Sequence, residues 1–281
     1  MDAQEHFATL AAVWDAHAEA MDAAMGEHAW AARAALAVAP GERVLDVGCG
    51  AGLSAVALGA EVGADGWVAA VDVAAEMVAA AARRLSAAGV SGVAVTADAG
   101  TADLVAVAGS GMPFDAVHAR FGLMFFDDPE EAFRNIFRAL RPGGRLAASV
   151  WQQLIGNLWM VLTTATAMPI LGGDRPPLPE PGQPGPFSMA DPDATAALLT
   201  GAGFVDVEIR PVEAPFLFEG DGLAAAERVL SAGPLGPAFL SADAATRRAA
   251  VEGVVAALDQ YRGPSGYLVP AASWCVTARR P

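Results

Sequence analysis

Asp46, Gly48, Gly50 and Gly52 stand at alternate positions where a short apolar run, Arg43 to Val47, comes to an end. An acidic side chain followed by three spaced glycines can bring main-chain N–H groups and a carboxylate against one small molecule. Glycine reaches positive φ and carries no Cβ, so a ligand can approach the bare backbone. The run is bounded by Pro40-Gly41 before it and by glycines after it, and reads as a buried parallel strand. Leu53 to Leu58 reads as the helix that follows. Strand, glycine turn and helix form the first unit of a nucleotide-binding α/β domain. Asp72 closes a second apolar run, Trp67 to Val71. It lies about 20 positions beyond the glycines, where a carboxylate can accept from both hydroxyls of a ribose. Capping a helix over Ala74–Ser86 is the structural use of the same residue, and the two uses are compatible.

The dinucleotide fingerprint would place a third glycine where Leu53 stands. What stands instead, Asp46-x-Gly48-x-Gly50-x-Gly52, resembles motif I of the class I S-adenosylmethionine (SAM)-dependent methyltransferases. The string Phe114 to Trp151 is a second resemblance. It contains Pro113-Phe114-Asp115-Ala116-Val117-His118-Ala119-Arg120 and Arg141-Pro142-Gly143-Gly144. It is similar to motifs IV and V of the ubiquinone/menaquinone-biosynthesis type and its small-molecule relatives. The resemblance implies SAM as cofactor. It implies that Asp46, Gly48, Cys49, Gly50 and Gly52 hold the methionine end and that Asp72, with Val73 beside it, holds the ribose, while Met77 packs on an adenine face. Asp98 would accept from the adenine amino group beside the Ala99 N–H, and the Ala119 carbonyl and Arg120 would lie beside the methionine amino group or the methyl. By itself Asp98 reads as a solvated loop aspartate.

The acceptor side has no equally clear motif. Phe7, Leu10, Trp14, His17, Met21, Met25 and His28 recur at three- and four-residue steps, a stripe that suits a core-facing helix or a cap over a site. The loop Phe121-Gly122-Leu123-Met124-Phe125-Phe126 is apolar and is expected at the sheet's C-terminal edge, where exposed apolar loops mark binding surfaces. Trp14, Phe121, Met124, Phe125 and Trp151 are therefore expected to line the substrate site. A sulfonium methyl is already activated, so a base is needed only for a protonated nucleophile. His118, near the end of the fourth strand, is the first candidate, followed by His28 and His17; a buried structural histidine is the competing reading of each. The four histidines lack metal-ligand spacing, so no metal is expected.

The fold expected is α/β: a Rossmann-like, seven-stranded, mostly parallel sheet with helices on both faces and an antiparallel last strand. A helical cap covers residues 1–39, the SAM-binding core 40–151 and a lid insertion 152–190. Residues 191–281 complete the single domain, with a helical insertion at 220–262. Helix starts are written at Asp128-Pro129-Glu130-Glu131 and at Asp191-Pro192. The next strand after Leu140 is expected to begin at Arg145, with Arg141–Gly144 as its turn, and six prolines between Pro176 and Pro186 mark an extended loop.

Composition narrows the partners. Hydrophobic residues make up 54% of the 281 positions and the net charge is −15. Phosphate backbones repel such a chain, so nucleic acid is not an expected partner. The two cysteines form no framework, and the N-terminus lacks a basic signal-peptide start, which points to a reducing cytoplasmic setting. The charge-free stretch from Leu146 to Gly173 is interrupted by Gln152, Gln153, Asn157, three threonines and Pro169, and reads as a buried strand and an apolar lid rather than a membrane span. The expected partner is a small apolar, aromatic, quinol- or polyketide-like acceptor, met by a monomer or homodimer. Rival functions are a SAM-fold protein that binds cofactor without methylating, as a cyclisation catalyst or non-catalytic partner, and a nicotinamide oxidoreductase. A nucleic-acid methyltransferase is a weaker rival, since Ala119-Arg120-Phe121-Gly122 stands where an (N/D)-P-P-(Y/F) motif belongs.

Overall fold

The computed structural model describes residues 3–107, 109, 111–172 and 183–281. Most of the expected proline-rich loop lies outside the described residues. In chain order the elements are helices α1 (Ala3–Met25) and α2 (Glu27–Leu36), then β1 (Arg43–Val47), α3 (Leu53–Val62), β2 (Trp67–Asp72), α4 (Ala75–Ala87) and β3 (Gly92–Thr96). Next come α5 (Leu104–Val107), β4 (Phe114–Arg120), α6 (Pro129–Ala139), β5 (Leu140–Trp151), α7 (Leu158–Leu171) and α8 (Pro192–Gly201). The chain ends with β6 (Val205–Glu219), α9 (Leu223–Ala232), α10 (Gly236–Ser241), α11 (Ala244–Ala257), β7 (Arg262–Gly263) and β8 (Gly266–Arg279).

Seven strands follow the order β3-β2-β1-β4-β5-β8-β6, and the two-residue β7 pairs with β8 to make eight. β1 to β5 are parallel, and β8 runs antiparallel between β5 and β6. The strand order reverses at β1, between β2 and β4, which is the switch point where open α/β sheets bind ligands. Alternation along the strands buries both faces. Leu45, Val47, Val71, Val117 and Ala119 join Phe133 and Ile136 of α6 in the larger core, while Val44, Val68, Ala70 and Ala116 meet Leu36 of α2 and Leu58 of α3 on the other face.

Capping residues set the helix starts. Asp128 Oδ1 accepts from Glu131 N at 3.0 Å, and Asp191 Oδ1 accepts from Asp193 N at 2.9 Å, each with proline at the first position. Three expectations change. Arg141–Gly144 lies inside β5 rather than before it, because Leu140 already pairs with Phe114 and Gly143 N donates to Arg280 O at 2.9 Å. The loop after β4 is not exposed: Leu123 and Met124 are buried, and Phe121 and Phe125 are half-buried. The expected lid begins as α7, which packs on α11, α9 and β8, and so is part of the body of the fold up to Leu171. Among the described residues no helix is long and apolar enough to cross a membrane.

Candidate functional site

The C-terminal ends of β1, β2 and β3 sit side by side, and each carries or is followed by an aspartate. The turn after β1 is tied to β2: Gly48 N and Cys49 N donate to Val71 O at 2.9 and 3.0 Å, and Gly50 N donates to Asp72 Oδ2 at 2.9 Å. Gly48, Gly50 and Gly52 have φ of 66°, 50° and 87°, which favours glycine at each. Their surroundings differ. A Cβ on Gly48 would meet the Gly122 backbone at 2.8 Å, and one on Gly52 would meet Ala81 of α4 at 2.7 Å. A Cβ on Gly50 would meet nothing within 4 Å. Gly48 and Gly52 therefore let protein elements approach, whereas Gly50 turns bare backbone toward open space.

Asp46 is 1% exposed. Its Oδ1 lies 2.7 Å from His118 Nδ1, across the β1–β4 register that pairs the two residues, and its Oδ2 has no hydrogen-bond partner among the described residues. A buried carboxylate oxygen without a donor is costly unless a cation or donor reaches it. Asp72 is half-buried and also accepts from Ala74 N at 3.0 Å, so it joins the glycine turn to the start of α4; that helix starts at Ala75, one residue later than the sequence suggests. Burial raises the Asp72 carboxyl above the ordinary range, partly offset by those N–H donors, and the nearby Asp46 charge adds to the rise. Each Asp72 oxygen keeps a further lone pair for a ligand. Asp98 is exposed and turned into its own loop, accepting from Gly100 N at 2.8 Å and Thr101 Oγ1 at 3.0 Å. That loop is held to the edge by Ala97 N donating to Asp72 O at 3.0 Å, and by Asn135 Nδ2 donating to Ala99 O at 2.9 Å. Asn135, on α6, escaped sequence reading because nothing local marks an inward-facing asparagine. Burial pushes the Cys49 thiol well up, with the Asp46 and Asp72 carboxylates adding to it, so Cys49 is a packing residue of the turn.

α1 lies over this edge. Asp15 pairs with Arg83 at 2.7 Å and with Arg84 at 2.5 Å, Arg84 Nη1 also donates to Ala51 O at 3.1 Å, and Asp22 pairs with Arg120 at the end of β4. Between these tethers Trp14 packs with Ala51, Ala74 and Met77, and its Nε1 is buried without a partner among the described residues. Val73 is half-buried beside them, and Ala119 is buried between Val47 and Ala148.

The substrate-side residues divide. Phe121 has φ 58°, rare for an aromatic residue, and stacks on Trp151 at 4.0 Å between centroids with the rings 8° apart. Such backbone strain persists where the surroundings hold it, often at functional sites. Trp151 N donates to Met124 Sδ at 3.3 Å, and the aromatic row continues through Trp159 to Phe216. Trp14 packs beside the glycine turn.

The three histidines occupy three different places. His118 is fully buried behind Asp46, where an acceptor cannot reach it. His28 is fully buried with Nδ1 2.8 Å from Ser273 Oγ and Nε2 2.8 Å from Ala214 O, and burial lowers its pKa. His17 lines a groove of about 340 Å³ with Val13, Arg228 and Arg247, and no residue of the glycine turn borders that groove. None of the three adjoins the Phe121–Trp151 stack with a free ring nitrogen. Among the described residues no cluster of histidine, cysteine or acids could hold a metal.

The sheet order and the glycine turn at its switch point define a nucleotide-cofactor fold of the class I SAM-dependent methyltransferase kind. Residues 44–144 match the model of the methyltransferase domain family. The chain is 30% identical over 196 residues to an arsenite methyltransferase from Halobacterium salinarum, covering 67% of this chain and 44% of the relative. It is 38% identical over 117 residues to a demethylmenaquinone methyltransferase from Mycolicibacterium paratuberculosis, covering 41% and 44%. The chain thus spans less than half the length of these two relatives. In fold it is similar to a phosphoethanolamine N-methyltransferase 2 from Haemonchus contortus solved with S-adenosyl-L-methionine, with a TM-score of 0.54, 19% identity, and coverage of 95% of this chain and 57% of that one.

Proposed function

We propose that this chain is an enzyme that transfers the methyl group of SAM to a small, flat, largely apolar acceptor. The observation that carries the reading is the open backbone of Gly50, bonded to the Asp72 carboxylate in the turn that follows Asp46, whose Oδ2 is unsatisfied. These residues fit the cofactor. Asp46 offers a buried negative oxygen for an ammonium, Asp72 offers acceptors for a cis-diol, and the Ala99 stretch offers main-chain groups for a base edge. When bound, SAM supplies an electrophilic methyl on a sulfonium.

The protein's part is alignment and exclusion of water. Fixing a nucleophile in line can supply about 7–11 kcal/mol in well-oriented systems. Phe121, half-buried over the buried Trp151 and Trp159, presents the accessible edge of an aromatic wall suited to a planar acceptor of aromatic, quinol or polyketide-like type. α1 closes the cofactor side through Trp14 and its tethers to Arg84 and Arg120, keeping water from the reacting atoms. The histidines stand away from that wall or have occupied rings, which favours an acceptor whose hydroxyl is acidic enough to arrive ionised. Incubating the protein with methyl-labelled SAM and a panel of phenols, quinols and aliphatic amines tests this. Label passing to the planar hydroxylated members supports the reading, and label passing to amines alone overturns the acceptor class.

A further inference from the structure

His118 is a fully buried, titratable side chain that the reaction as described does not use. Its Nδ1 lies 2.7 Å from Asp46 Oδ1, and its Nε2 is buried with no partner among the described residues. The tautomer follows. A ring proton on Nε2 would have no acceptor, whereas on Nδ1 it donates to the carboxylate. One oxygen of Asp46 is thereby bonded to a ring on the neighbouring strand, which restrains the carboxylate and the direction of its free oxygen. Oδ2 is the atom left over, buried and without a donor. It belongs to the residue two positions before Gly48, at the mouth of the glycine turn. The Asp72 carboxylate and the Cys49 thiol are ionisable groups near this spot, and among the described residues no side chain donates to Oδ2.

We infer that His118 is a positioning residue: through its Nδ1–H it aims Asp46 Oδ2 at the ammonium of the cofactor's amino-acid end. The inference rests on the cofactor reading and deepens it, since it assigns His118 to one portion of the ligand. It replaces a base at the acceptor with a hydrogen bond behind the cofactor. The geometry is economical, because parallel register alone puts residues 46 and 118 side by side. A carboxylate with one oxygen fixed loses less freedom when it takes up a cation than one free to turn.

The test separates aiming from general support. S-adenosylhomocysteine carries the ammonium, while methylthioadenosine has the adenosine and sulfur but no amino-acid end. Both are titrated calorimetrically into wild type, His118→Ala and His118→Asn. Asparagine places an amide N–H close to where the imidazole Nδ1–H stood. The expected result is a loss of about ten-fold in S-adenosylhomocysteine affinity for His118→Ala, the scale of one charge-assisted hydrogen bond. Methylthioadenosine affinity stays within about two-fold of wild type, and His118→Asn recovers most of the loss. If His118→Ala does not fold, His118→Phe, which fills the site without a donor, is read in its place. Equal weakening of both ligands, or of neither, overturns the assignment. Wild type that binds neither ligand overturns the cofactor reading itself, a different result from wild-type binding that His118→Ala leaves intact.

Discussion

A Cβ on Gly48 would stand 2.8 Å from the Cα of Gly122, so the turn after β1 and the turn after β4 are packed backbone on backbone. This contact places the exit of β4, with the strained Phe121, against the glycine turn. Gly48→Ala must force the two turns apart and also hold a left-handed φ of 66°. It should destabilise the fold by ~2–4 kcal/mol. Gly50→Ala meets no protein atom and carries only the conformational penalty of ~1–2 kcal/mol. Denaturant unfolding should rank Gly48→Ala well below Gly50→Ala, while Gly50→Ala should lose SAM affinity although folded. Equal midpoints for the two variants would refute the division of labour within the turn.

Asp72 joins the glycine turn to α4 and offers its remaining lone pairs to a ligand. Asp72→Asn should weaken SAM binding by ~1–3 kcal/mol in a calorimetric titration. Burial raises this carboxyl, so acid reaches it early. As the pH falls through that raised value the free fold gains from protonation, because the buried charge is removed, whereas ligand binding loses its ionised acceptor. Wild-type affinity should therefore fall on acidification above the ordinary aspartate range, and the Asp72→Asn affinity should be flat there. Affinity equal to that of wild type in Asp72→Asn at neutral pH would remove Asp72 from the site.

The parts that sequence reading reached were those whose signal is local. β1 was legible because Pro40-Gly41 and Gly48 bracket its apolar run, and α6 because Asp128-Pro129 is a self-contained start signal. The order of the three aspartates followed from the same strand ends. The pairing of Asp46 with His118 was hidden, since it depends on the β1–β4 register between residues 72 positions apart. Asn135 gave no local sign for the same reason. Arg141–Gly144 has turn chemistry, yet pairing of Leu140 with Phe114 and the bonds to Arg280 draw it into the sheet. β6 runs unbroken past Pro211 because it is the edge strand, where a residue without an N–H is tolerated, and its irregularity sits earlier, at Asp206 with φ 50°, where the register with β8 shifts.

α1 buries Leu10, Met21 and Met25 in the core, and it is further tied across the site by exposed or half-exposed ion pairs, a kind worth only ~0–1 kcal/mol each. Asp15→Asn combined with Asp22→Asn should leave the unfolding midpoint nearly unchanged but speed cofactor release, and added salt should speed wild-type release in the same direction. Stopped-flow displacement of bound SAM measures both. Removing residues up to Met25 should abolish turnover and lower the unfolding midpoint, since Leu10, Met21 and Met25 leave the core, while circular dichroism still reports the sheet. A cut beyond His28 should unfold the protein, because it takes away the partner of Ser273 and Ala214. Full turnover by the shorter truncation would contradict the role given to α1.

His28 ties α2 to β6 and β8 as a neutral ring, and burial lowers its pKa. A depressed imidazole contributes stability above its unfolded pKa, and that stability is lost as the pH falls below it. The thermal midpoint of wild type should drop from neutral toward mildly acidic pH, and that of His28→Gln should start lower and drop less. Parallel curves would show that His28 is not the group responsible.

The central claim is that the edge formed by Asp46, Gly50 and Asp72 binds SAM. A calorimetric titration of the protein with SAM, beside an identical one with NAD, tests it most directly. The account predicts saturable one-to-one binding of SAM and no measurable heat from NAD. Binding of NAD in place of SAM, or heat from neither, would contradict it.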